Sequence, residues 1–198
     1  MTSTTSAVQL TALPTVEVST LTRRPSAGVF AAIPSVLAGA VLAARAALLH
    51  VVRLKLRHGV ERLNAGDHRA LLAGFADDAV LHFHEGAHRW SGTHVGTDAI
   101  ERFLQDFVGA GLHGELGRTW FSGPPRALQL CVRFDDEAHG PNGEEIYANR
   151  IVIWARTRWG KIVEQRDFYE DTARITDLEA RLQDLGVLGR TTPACGSW

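Results

Sequence analysis

Apolar positions follow a helical period in the first half of the chain and a strand period in the second. Leu48, Val51, Val52, Leu56, Val60 and Leu63 recur at helical spacing, with Arg53, Arg57 and Glu61 on the other side, which predicts an amphipathic helix. Asn64-Ala65-Gly66 ends it, because glycine can take the left-handed conformation of a helix stop. Asp67 caps a short helix in DHRALLAGF. Ala79 to Phe83 predicts a strand turned by Glu85-Gly86, and HRWSGTHVG a short extended piece. Thr97 or Asp98 then caps a third helix, whose Ile100, Phe103, Leu104 and Phe107 form one apolar stripe closed by Gly109 and Gly111.

From Leu112 the period shortens to two. LHGELGRTWFSG, RALQLCVRFDDE, EIYANRIVIWARTR and KIVEQRDFYED predict four strands. Gly-Pro-Pro breaks the first, GPNGE makes a hairpin turn after the second, and Trp159-Gly160 turns the third back. An amphipathic segment, TDLEARLQDLG, predicts a last helix ending at Gly186. No internal repeat is present. Helices first and a meander after predict one α+β domain over residues 48–187.

The flanks read differently. Residues 1–26 are Ser/Thr-rich without apolar periodicity, which predicts a flexible arm, and residues 188–198 a disordered tail. Between them lies the apolar segment 27–47, with no charge from Ala27 to Ala44. Arg23 and Arg24 before it and Ala44-Arg45-Ala46 after it are the layout of a signal peptide or short membrane anchor over residues 23–46. Its Ala/Gly-rich composition and the heavier positive charge on its C-terminal side favour instead a helix packed on the domain or on a partner, in a cytoplasmic protein.

Composition changes this picture little. With 198 residues, 45% hydrophobic and 22% charged, at a net charge of -1, the chain is globular and has no global signal for nucleic acid. Arg53, Lys55, Arg57 and Arg62 cluster on the wet side of the first helix, where a membrane-surface role is the alternative. Two cysteines, Cys131 in a strand and Cys195 in the tail, give neither a disulfide framework nor metal spacing.

The stretches LNAGDHRALLAGFADDAVLHF, WSGTHVGTDAIERFL and GKIVEQRDFYED resemble the nuclear transport factor 2-like superfamily. This is the cone fold of ketosteroid isomerases, SnoaL-type polyketide cyclases, limonene epoxide hydrolases and scytalone dehydratases. The resemblance covers about two-thirds of the chain. It implies N-terminal helices packed on a strongly curved antiparallel sheet that encloses a pocket, a homodimer paired through the sheet, and cofactor-independent chemistry. A curved sheet cannot close against one flat layer of helices, so a cavity remains. A carboxylate projecting into such an apolar cavity is desolvated, and its pKa rises into the range useful for acid–base catalysis.

Asp167, in GKIVEQRDFYED, falls where the epoxide hydrolases carry a catalytic Asp. Arg133 and Asp135, an Arg-x-Asp before the hairpin proline, match the same family's Arg between two carboxylates. The resemblance thus implies an Arg133, Asp135 and Asp167 trio. The residue pattern allows the opposite reading. Leu130, Val132 and Phe134 alternate with Arg133 and Asp135, so an apolar face toward the helices leaves the Arg and Asp in water. That family's water-binding Tyr and Asn correspond to Leu81 and Phe83 here. The ketosteroid-isomerase base and oxyanion-hole Tyr correspond to about Phe83 and Gly59, which argues against a direct steroid-isomerase mechanism.

Among the remaining candidates, His82 and His84 share one strand face with His88 beyond them. They read as ordinary strand residues or as pocket-mouth bases or donors, rather than as metal ligands, since the spacing of a metal site is missing. Arg150 belongs with Val152 and Trp154 by alternation, and an inward face would pair it with Asp167. Trp90, Trp154 and Tyr169 are candidate pocket walls.

The resulting expectation is a pocket protein acting on a small, mostly apolar metabolite by isomerisation, cyclisation, dehydration or epoxide opening, with no metal. The alternative is a non-catalytic binding or association module, held at a membrane through residues 27–47.

Overall fold

The computed structural model describes residues 35–186, with side chains from residue 38. The expected arm (1–26), the tail (188–198) and the first part of the 27–47 segment lie outside the described residues. A single helix, α1 (Ser35–Asn64), runs through the boundary expected at residues 47 and 48. It stops as its sequence predicts. Gly66 takes a φ of 87°, its N–H donates to the Leu63 carbonyl, and the Asp67 N–H to that of Arg62.

The order continues with α2 (Arg69–Leu72), β1 (Phe75–His82), β2 (Thr93–Val95), α3 (Thr97–Gly109) and β3 (Leu112–Ser122). After a 3-10 turn come β4 (Gln129–His139), β5 (Glu145–Arg158), β6 (Lys161–Tyr169) and α4 (Ala173–Asp184). The six strands form one sheet in the order β2-β1-β6-β5-β4-β3. The sheet is mixed rather than wholly antiparallel, because β1 joins the far side of β6 in parallel. β1 reaches β6 through a crossover containing α3 and the meander, which is the kind of long connection parallel pairing requires. β1 also starts four residues earlier than the Ala79 expected from the pattern.

α3 lays Ile100, Phe103, Leu104 and Phe107, all buried, against the inner sheet face. Leu130, Val132, Phe134 and Ala138 of β4 and Tyr147, Ile151 and Ala155 of β5 form that face. α1 is clipped to β3 by Asn64, whose Nδ2 donates to the Gly114 carbonyl at 2.8 Å and whose Oδ1 accepts from the Gly114 N–H at 2.9 Å. A Cβ at position 114 would overlap the Phe134 ring, so the glycine is what lets that ring lie across β3. α4 closes one end of the cone, with Ile175, Leu178 and Leu182 buried. Arg89 clamps it from the β1–β2 connection through two bonds to Glu179, at 2.8 and 2.7 Å.

Candidate acid–base site

One irregularity in β6 decides which side chains enter the cone. Thr157 faces Ile162, but Arg156 faces Glu164, so Val163 is an extra residue in β6. Strict alternation from the buried Ile162 would send Glu164, Arg166 and Phe168 inward. The bulge reverses the parity beyond it. Gln165, Asp167 and Tyr169 therefore point into the cone, while Arg166 and Phe168 are exposed.

These three are the polar members of an otherwise apolar cavity of about 90 Å³, walled by Leu63 of α1, Phe103 and Phe107 of α3, and Val132, Phe134 and Ile153 of the sheet. Gln165 Nε2 donates to Asp167 Oδ1 at 2.9 Å. A neutral amide cannot offset the loss of hydration in such walls. Desolvation therefore pushes the Asp167 carboxyl from 3.8 up to about 7, with the Gln165 bond pulling weakly the other way. Burial also raises the Tyr169 phenol, helped by the fields of Asp136, Tyr147 and Asp167, so it stays protonated. The cavity thus presents a carboxyl that can give or take a proton near neutrality beside a fixed phenol.

A second inward carboxyl, missed in the sequence, is Asp136. It continues the buried face of Leu130, Val132 and Phe134 on β4. Tyr147 donates to its Oδ2 at 3.1 Å. Burial raises it to about 7, and the Asp135 and Asp167 charges add to the effect. Asp136 does not line the cavity around Asp167. It lies toward the α4 end, where burial and the Asp136 charge also raise Tyr147.

On the outer side of the cone, His82 and His84 line a hollow of about 310 Å³ together with Phe83, Arg166, Asp167, Phe168, Tyr169 and Thr172. Asp167 and Tyr169 line both this hollow and the cavity. They stand in the wall between them. His82 is held by Thr93 at 3.1 Å, from Nδ1 to Oγ1.

The structure separates the remaining candidates from Asp167. Arg133 and Asp135 lie on the opposite, outer face of β4, 46% and 39% exposed, and bind each other at 2.8 Å. The expected trio with Asp167 is not assembled, because the apolar alternate positions of β4 take the inner face. Arg150 is on that outer face as well. It pairs with Asp135 at 3.2 Å and Glu170 at 3.3 Å, not with Asp167. These residues line a hollow of about 620 Å³. It is an open groove in which Arg133, Asp135 and Arg150 are partly exposed and paired with one another, and of the charged groups that line it only Asp136 is buried. Trp154 also faces outward, while Trp90 is packed in the core against His88; neither lines the cavity or the mouth. Among the described residues no cluster of three or more His, Cys, Asp or Glu could hold a metal ion, and no helix is long and apolar enough to cross a membrane.

A conical sheet over helices with one polar wall in an apolar cavity defines the class. Residues 56–165 match the SnoaL-like domain model, and the chain belongs to that family. Solved structures agree in fold. The chain is similar to Bal32a from a soil-derived mobile gene cassette, with 20% identity over 65% of this chain and 95% of that one, at a TM-score of 0.53. It is similar to TerC, co-crystallized with polyporic acid, with 20% identity over 65% and 95%, at 0.51. An NTF2-like protein from Burkholderia pseudomallei K96243 matches at 20% identity over 65% and 96%, also at 0.51. No curated protein is similar to the chain in sequence.

Proposed function

We propose that the protein is a cofactor-independent acid–base enzyme that moves a proton on a small, neutral, largely apolar metabolite, with Asp167 as the acid or base. The observation that carries this reading is the placement of Asp167. Its carboxyl lies in an apolar wall with only a neutral amide for a partner, and its pKa is near 7. General acid–base catalysis is most effective when the pKa lies near the working pH. Tyr169, kept protonated, would hydrogen-bond a carbonyl or epoxide oxygen as charge develops on it.

Size narrows the substrate. Ligand pockets usually span about 300–1,000 Å³, whereas the cavity is about 90 Å³. The cavity therefore receives the reacting group, and the rest of the molecule occupies the mouth beside His82, His84 and Phe168. Isomerisation, cyclisation, dehydration and epoxide opening all fit a single carboxyl with a neighbouring phenol. Small enolisable carbonyl compounds, whose α-protons a carboxyl poised near neutrality can move, make the first panel.

Incubating such a panel in deuterated water and following exchange next to the carbonyl by NMR tests the reading. Asp167 supplies exchange above the buffer rate, and Asp167→Asn abolishes it. A general acid–base group contributes about 10²- to 10⁴-fold. Equal exchange by wild type and Asp167→Asn would remove the assignment.

The outer sheet face exposes Trp120, Val152 and Phe168, the last two directly opposed on β5 and β6. Exposed aromatic and aliphatic side chains on one face mark an association surface. Pairing of two copies through this face accounts for them.

A further inference from the structure

We infer that the uncovered face of α1 docks the protein onto an anionic membrane surface. An ordinary surface helix has one apolar face, turned to the core. α1 has two. Val60 and Leu63 are buried and Leu49, Val52 and Leu56 half-buried on the domain side. At 3.6 residues per turn, Ala40, Ala44, Ala47, Val51 and Leu54 share the opposite side, and all five are exposed. Val41, Leu42 and Leu48 are exposed as well.

The helix is fixed with this face outward. Arg45 Nη1 donates to the Gly123 carbonyl at 3.0 Å, and Arg53 lies over the Phe121 ring at 5.0 Å. Both contacts tie it to the end of β3.

Charge selects the occupant. α1 carries Arg45, Arg53, Lys55, Arg57 and Arg62 against Glu61 alone, which is +4. With -1 for the whole chain, the remainder is -5. His50 and Arg57 flank the Val51–Leu54 stripe on one side and Lys55 on the other, all exposed. An apolar stripe between basic side chains suits a helix lying in the plane of an anionic bilayer, with the aliphatic groups in the acyl boundary and the cations at the headgroups. A second copy of α1 would bring Lys55 and Arg57 against their own kind. The helix lies on the surface rather than spanning it, and the reading stands independently of Asp167.

The test uses the full chain in a vesicle sedimentation assay, comparing phosphatidylcholine mixed with phosphatidylglycerol against phosphatidylcholine alone. The protein sediments with the anionic vesicles only, and high salt weakens binding. Val51→Asp/Leu54→Asp and Lys55→Glu/Arg57→Glu each lower it about tenfold or more. Their circular dichroism and melting stay those of wild type, since none of the four is in the core. Failure to sediment with anionic vesicles, equal sedimentation with neutral ones, or undiminished binding by both variants overturns the inference. So does conversion of a dimer to a monomer by Val51→Asp/Leu54→Asp without lipid, which would give this face to a second copy.

Discussion

Gln165 Nε2 donates to Asp167 Oδ1 at 2.9 Å across two residues of the same strand. The bond is the one contact that favours the ionised form of a carboxyl otherwise raised by burial. Gln165→Leu should therefore move the pKa of Asp167 further up. In a pH–rate profile the limb assigned to Asp167 shifts to higher pH, while Gln165→Glu, by adding a like charge, shifts it further still.

The buried Asp136 and half-buried Asp167 carboxyls, both raised to about 7, also make stability depend on pH. Between the usual carboxylate range and pH 7, the folded state holds protons that the unfolded chain has lost. Stability is then fully present below about pH 4 and is lost as pH rises through about 7. Asp136→Asn keeps an oxygen for Tyr147 and removes the ionisation. Each unit of pKa displacement corresponds to about 1.4 kcal/mol, so the variant gains up to a few kcal/mol over wild type at pH 8 and almost nothing at pH 4. Thermal melts at the two pH values measure it.

The reach of the sequence differs from element to element. The α3 stripe and the alternation of β4 are local patterns, and both predict their buried faces. β4 alternation also opposed placing Arg133 and Asp135 with Asp167. The same alternation, carried one residue past Asp135, would have found Asp136. The β6 bulge is different. It is defined by the pairing of Arg156 with Glu164 and Thr157 with Ile162, a relation between strands that no count along β6 reveals. The resemblance aligned Asp167 with a catalytic Asp of the epoxide hydrolases without supplying the parity that turns it inward. The parallel pairing of β1 with β6 is equally nonlocal.

Exposed ion pairs contribute about 0–1 kcal/mol. Arg133→Ala and Asp135→Ala, which break such a pair on the outer face, should leave deuterium exchange within about twofold of wild type and stability within about 0.5 kcal/mol. A loss comparable to that of Asp167→Asn would instead place the outer groove in the reaction.

Arg89 and Glu179 behave oppositely, because their side chains are only 8% and 3% exposed. Arg89→Ala removes the guanidinium that makes two bonds to the buried Glu179 carboxylate. Breaking a buried pair costs about 3–5 kcal/mol. Urea unfolding should show a loss of that order, and hydrogen exchange should rise first in α4.

On the outer sheet face, Trp120→Glu/Val152→Glu replaces two exposed apolar side chains, neither of which lines the cavity or its mouth. Light scattering should show a dimer of the wild type becoming a monomer that keeps its fold. A wild-type monomer at working concentration would remove the pairing.

Acid–base chemistry by Asp167 requires a desolvated carboxyl poised near neutrality inside the cone. Carbon-13 NMR titration of the aspartate carboxyls in wild type and Asp167→Asn tests it most directly. Two resonances should titrate near pH 7 in the wild type, from Asp136 and Asp167, and one of them should be lost in the variant. If the resonance lost on substitution instead titrates near 4, Asp167 is solvated and the acid–base site is not there.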